Sequence, residues 1–282
     1  MYIVDFMQRL FKKGNTGIII YLLLNTLIVI TLFQDPIIGL IVYGISLVLA
    51  LSPFGEWILR VQQGCKPLAR KEHIDRLQPL FDEVYSKAKK LDPDLPDDIK
   101  LFISKDPTPN AFATGRKTIC INKGMLEFSD EQIKATFAHE FGHLSNKDTD
   151  LILIVSVGNL IMTALFIFYR IIFTFFGSMF SVINHSLGSV LITFLIDIIL
   201  VGMMWLWTKF GTVLVMHTSR SKEYEADHFA HQLGYGAGLI EVLDRFNEID
   251  LGDTKGLWAN LASSHPDPDQ RIGKLQNLED VA

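Results

Sequence analysis

Four long apolar runs constrain this 282-residue chain more than any other feature. They occupy residues 17–33, 36–51, 151–176 and 189–206, the last extending less cleanly through 215. A helix needs roughly 20 apolar residues to cross the ~30 Å of hydrocarbon in a bilayer. The first two runs fall a little short of that, and only Gln34 and Asp35 separate them. Neither shows a charged face, so they read as a tight transmembrane hairpin rather than the core of a soluble protein. Runs three and four read as a second hairpin joined by a loop at 177–188. With 49% hydrophobic residues, 20 Phe and a mean hydropathy of +0.28, the chain is no ordinary soluble enzyme.

Charge orients the hairpins. Neither the Gln34–Asp35 turn nor the 177–188 loop contains Lys or Arg. Arg9, Lys12 and Lys13 precede run one, and Arg60, Lys66, Arg70, Lys71 and Arg76 follow run two. Cytoplasmic flanks carry the excess of basic residues, which predicts both termini and the central segment in the cytoplasm. The expectation is therefore a mainly α membrane protein with four transmembrane helices, at about 17–33, 36–51, 151–176 and 189–208. It divides into an N-terminal hairpin (1–51), a first water-soluble part (52–150), a second hairpin (151–215) and a second soluble part (216–282). No small-residue cleavage site follows run one, so the leader is not read as a signal peptide. A net charge of −5 argues for no nucleic acid partner. Cys65 and Cys120 have no C-x-x-C partners, so no disulfide framework is expected. Arg170 and Asp197 fall within runs three and four at matching depth, where a charge is costly unless paired or wetted. They read as an ion pair, with Arg170 snorkelling to the outer headgroups as the alternative.

In the soluble parts, residues 74, 77, 80, 81, 84 and 88 give helical spacing over 73–91, ended by the Pro93 and Pro96 turn. Strands are expected at 99–103 and 117–121, flanking a turn at 106–115. Ser129 and Gln132 form a capping-box pattern that starts a helix over about 130–144.

That helix contains Ala138-His139-Glu140-Phe141-Gly142-His143. Residues four apart share a face, so His139 and His143 can offer two imidazoles to one ion. Glu140, one step round, can reach a water at the metal without binding the metal itself, which suits a general base. A catalytic zinc needs a third protein ligand and an open fourth position. Glu223 and Asp227, four apart in a predicted helix ending at Gly234, supply a ligand and an acceptor for a ligand histidine's outer N–H. An ordinary charged helix face is the competing reading of that segment, and His228 and His231 are rival ligands.

These motifs, with one pair of apolar runs before His139 and a second pair between His143 and Glu223, resemble HtpX-like membrane zinc metalloproteases. That gluzincin family is related to the CAAX prenyl endopeptidases. The resemblance implies a zincin-like α+β peptidase domain with a small β-sheet on the cytoplasmic side of the cell (inner) membrane. It implies one Zn2+ per chain on His139, His143 and Glu223, with Glu140 catalytic and Asp227 outside the ligands. It also implies polypeptide substrates, chiefly membrane proteins, and a role in quality control under stress. Pro109-Asn110-Ala111-Phe112-Ala113 resembles the family's cleft-edge strand, making Asn110, Ala111, Phe112 and Ala113 substrate-binding candidates. Ser264-His265-Pro266-Asp267-Pro268-Asp269-Gln270-Arg271-Ile272 resembles a C-terminal family segment in which His265 is a candidate oxyanion donor. Dedicated processing of one substrate is the alternative activity. A transporter subunit with a structural metal site is the alternative of a different class.

Overall fold

A two-residue turn between the first apolar runs is built by Asp35 and Pro36. The Asp35 side chain accepts the otherwise unpaired Ile37 and Ile38 N–H groups at 2.8 and 3.0 Å, and Pro36 occupies the first helical position. This computed structural model describes residues 16–183, 187–248 and 267–280. Around that turn lie helices α1 (Thr16–Phe33) and α2 (Pro36–Ala50). Pro53 then ends α2 and starts α3 (Pro53–Gln62), which Ser52 caps, with a bend of 69° between the two. The sequence reading began the soluble part at residue 52 and assigned no helix at 53–62.

Among the described residues, three helical stretches are long and apolar enough to cross a membrane: Thr16–Phe33, Thr163–Ile183 and Leu187–Gly211; the bent α2–α3 pair is a fourth if counted as one span. Thr163–Ile183 differs from the expected 151–176. Helix α6 runs over Thr149–Ile183, but Leu153, Ile154 and Val157 near its start are buried against Ile18, Ala50, Leu51 and Leu59. Apolar residues packed on protein and apolar residues packed on lipid look alike in a sequence. The expected loop at 177–188 is mostly helix too, since α6 continues to Ile183 and α7 begins at Leu187. Ser181 suits that helix by returning its hydroxyl hydrogen to the Gly177 carbonyl at 2.8 Å.

Arg170 and Asp197 are paired: the guanidinium forks onto the carboxylate, with Nη2 at 2.7 Å from Oδ2, and Thr174 adds a third donor at 3.4 Å. Removing Asp197 alone leaves an unpaired cation at membrane depth, where a charge is costly. Folded yield in detergent is therefore expected to fall in Asp197→Arg and in Arg170→Asp and to recover in the charge-swapped double variant. No recovery would separate the pair from hairpin stability.

The remaining elements pack around one shared core. Helix α4 (Lys71–Leu91) buries Leu77, Phe81, Val84 and Ala88 along one stripe. The stripe meets α5 (Asp130–Ser145), where Phe81 lies edge-on to Phe137 and Tyr85 stacks on Phe141. Ser129 and Gln132 make the expected reciprocal cap at 3.2 and 3.1 Å. The sheet comprises β1 (Lys66–Pro67), β2 (Lys100–Ser104), β3 (Ala111–Thr114) and β4 (Thr118–Asn122), in the order β1-β2-β4-β3. β2 and β4 run parallel, while β1 and β3 are antiparallel edges. The segment that local pattern reads as a turn at 106–115 contains a strand, β3, overlapping the 109–113 stretch that resembles an edge strand. It pairs with β4 from Ala111↔Ile121 to Thr114↔Thr118.

Helix α7 spans Leu187–Gln232 without a break, so the expected boundary at 215/216 falls inside one helix. Twelve residues separate Gly211 from Glu223, which sets Glu223 about 18 Å beyond the apolar span along the axis. Helices α8 (Gly236–Glu248) and α9 (Pro268–Glu279) close the body.

Candidate metal centre

Two helices far apart in the chain meet at a glycine. A Cβ on Gly142 of α5 would lie 2.8 Å from the Ala226 Cα of α7, so only glycine lets the backbones approach this closely. Beside that contact, His139, about one turn before Gly142, and His143, directly after it, face Glu223 on α7.

The facing atoms are spaced as a metal requires. His139 Nε2 and His143 Nε2 are 3.2 Å apart, and each lies 3.4 Å from a different oxygen of Glu223. Ligands about 2.0–2.1 Å from a tetrahedral zinc sit about 3.3 Å from one another, so the two imidazoles are at that spacing and each has a Glu223 oxygen close to it. Among the described residues, these three form the group able to hold an ion. His139 and Glu223 are buried and His143 nearly so.

The outer imidazole nitrogens are also engaged. Asp227 Oδ1 accepts from His139 Nδ1 at 2.9 Å, and Asp148 Oδ2 faces His143 Nδ1 at 3.4 Å. A proton held on each Nδ1 leaves both Nε2 lone pairs pointing inward, the tautomer that a ligand needs. Asp148 is itself held by Lys222 at 3.2 Å. Arg271 of α9 forks onto Asp227 at 2.8 and 2.5 Å and stands 3.4 Å from Glu223.

The electrostatics show what this cluster attracts. Burial opposes the charged form of both imidazoles, but the carboxylates outweigh it: Asp227 and Glu223 raise His139, and Glu223 and Asp148 raise His143 well above its ordinary value. Burial likewise opposes the Asp227 carboxylate, yet Arg271 and His139 hold it at about 2. A pocket this negative favours a cation.

Glu140 stands apart from the donor group. Its Oε2 accepts the Ala113 N–H of edge strand β3 at 2.7 Å, which fixes the buried carboxylate beside the metal position. Of the substrate-binding candidates, Ala111, Phe112 and Ala113 form β3, and Asn110 precedes it, its carbonyl accepting from Asn122 N–H at 2.8 Å. His265 lies outside the described residues. His231 bonds Glu279 at 3.0 Å, and neither it nor His228 belongs to the donor group. Asp148 and Arg271 had no assigned part in the sequence reading. Each ligand histidine needs an acceptor for its second nitrogen, a requirement that could have pointed to Asp148 five residues beyond His143. Nothing local marks Arg271, apart from its place in the quoted C-terminal segment.

The sequence profile of Peptidase family M48 matches residues 75–279. This chain belongs to that family. Among M48 relatives, the protease HtpX homolog of Neisseria meningitidis is 29% identical over 196 residues, covering 64% of this chain and 66% of that protein. Protease HtpX of Hahella chejuensis is 31% identical over 188 residues, covering 59% and 61%. The chain thus spans just under two thirds of the length of these relatives. The crystal structure of S. mikatae Ste24p shares the fold, with a TM-score of 0.51 at 22% identity, over 90% of this chain and 61% of that one.

Proposed function

We propose that this M48 chain is an integral-membrane, zinc-dependent endopeptidase of the His-Glu-x-x-His and Glu-x-x-x-Asp type. The observation that carries the reading is the spacing of His139, His143 and Glu223 with Glu140 beside them but outside the donor group. Three protein ligands with an open fourth position suit catalysis; a structural zinc normally closes with a fourth residue, and none joins the group among the described residues.

Zinc, when bound, acts as a Lewis acid toward the scissile carbonyl and makes water more acidic. The residues supply the rest. Asp227 and Asp148 hold the two imidazoles in tautomer and orientation. β3 is the last strand of its sheet, the position at which an extended peptide would add through main-chain hydrogen bonds. Glu140, anchored by Ala113, takes a proton from the attacking water and delivers it to the leaving amine nitrogen. His265 is the candidate donor to the developing oxyanion.

The substrates we infer are membrane or membrane-associated proteins, because the site stands on α7 only about 18 Å past the apolar span. Basic residues after run two favour the cytoplasmic face of the cell membrane, and quality control fits a cleft that reads main chain rather than a side-chain pocket. The test uses the purified full chain in detergent. One zinc per chain is expected, with cleavage of an unfolded reporter protein lost on chelation and regained with zinc. Full cleavage by metal-free protein would overturn the reading.

A further inference from the structure

The loop that joins the catalytic edge strand to the sheet is closed by a side chain from the membrane hairpin. Glu56 lies in α3, directly after the bend from α2, and its side chain is only 10% exposed. Its Oε2 accepts from Arg116 N–H at 3.2 Å, and its Oε1 accepts from Lys117 N–H at 3.3 Å and from the Thr118 hydroxyl at 2.6 Å. Three consecutive residues after Gly115 thus converge on one carboxylate. Gly115 is left-handed at φ +60°, and a Cβ there would stand 2.5 Å from Glu56, so the loop wraps the carboxylate on both sides. Arg60, one turn further along α3, forms a long ion pair with Glu56 at 3.9 Å and reaches the Thr118 hydroxyl at 3.3 Å.

A second brace comes from the other hairpin. Arg116 forks onto Asp150 in the first turn of α6 at 2.8 and 2.6 Å, and the Thr149 hydroxyl donates to the Gly115 carbonyl. Asp150 and Thr149 begin α6, which runs on into a stretch able to span a membrane, and Glu56 lies in α3, joined to α2 through a 69° bend. Three residues before Arg116 stands Ala113, whose N–H holds Glu140. Burying a carboxylate is costly, and a hairpin loop does not need one to close, so a packing role alone gives poor account of Glu56.

We propose that Glu56 is a positioning residue: through the 115–118 loop it fixes β3 against Glu140, so that the first membrane hairpin, not the sheet alone, sets where a substrate strand docks. The proposal rests on the endopeptidase reading above. Glutamine keeps the shape of Glu56 but replaces one acceptor oxygen with a donor that opposes a backbone N–H, and losing such a charge-assisted bond is worth about tenfold in an equilibrium.

The experiment compares wild type, Glu56→Gln and Gly115→Ala as full chains in detergent. Amide hydrogen exchange in 110–118 is expected to quicken about tenfold in both variants, with helix 130–145 and zinc per chain unchanged. KM for an extended peptide should rise about tenfold while kcat moves less than about threefold. Unchanged exchange in 110–118, or loss of zinc and kcat together at constant KM, overturns the proposal in favour of a purely structural carboxylate. If Glu56→Gln fails to fold, Gly115→Ala alone decides by the same two readouts. Absence of zinc-dependent cleavage in wild type would instead count against the endopeptidase reading, and the exchange result would still decide the role of Glu56.

Discussion

Glu140→Gln is expected to lower kcat for peptide cleavage by about 10²–10⁴-fold while leaving one zinc per chain, the range that a positioned general base contributes. The substitution is nearly isosteric. Its amide oxygen can still accept the Ala113 N–H, now met at 2.7 Å by Glu140, so β3 should stay seated. The donor group of His139, His143 and Glu223 is untouched, because Glu140 is no member of it. What disappears is the ability to hold a proton between attack and departure of the amine. Metal analysis together with single-turnover cleavage checks both halves. Loss of zinc would make Glu140 a ligand, and undiminished cleavage would remove it from the mechanism.

How much of this was legible beforehand depends on the range of the interaction. The capping box at Ser129, the imidazole pair at His139 and His143 and the Asp35 turn are local devices. Their partners lie within four residues, so spacing alone reveals them. The meeting of Glu223 with the two histidines was reached from the need for a third ligand, and the family resemblance agreed with it; spacing could not supply it, since 79 residues and a membrane hairpin intervene between His143 and Glu223. Continuity of α7 was hidden because hydropathy changes sharply where the helix leaves its apolar span. The backbone has no reason to break there: residues 212–232 contain neither Pro nor Gly. Helix α3 and Glu56 were invisible for the opposite reason. The short Pro53–Gln62 stretch directly follows an apolar run and was not separated from its end, and the three donors on Glu56 come from about 60 residues away.

Arg271 is the sharpest instance of a long-range partner, and its loss should cost most in stability. It is 5% exposed and faces Asp227 through two hydrogen bonds and Glu223 at 3.4 Å. Methionine fills similar volume but leaves two buried carboxylates short of their cation, a penalty of about 3–5 kcal/mol. Zinc affinity should fall by about 10–100-fold as well, because Asp227 no longer holds the His139 ring in a fixed place. Lysine should rescue only part, since an ammonium cannot fork onto both oxygens of Asp227. Acid should expose the same dependence. Asp227 is depressed from its ordinary 3.8 to about 2, so the stability it lends is complete at neutral pH and lost as pH falls from about 4 toward 2. Without Arg271 the depression shrinks and that loss moves to higher pH. Denaturant unfolding of chelated protein across this window measures both effects; a curve for Arg271→Met that overlays wild type would mean that the buried guanidinium neutralises nothing the fold depends on.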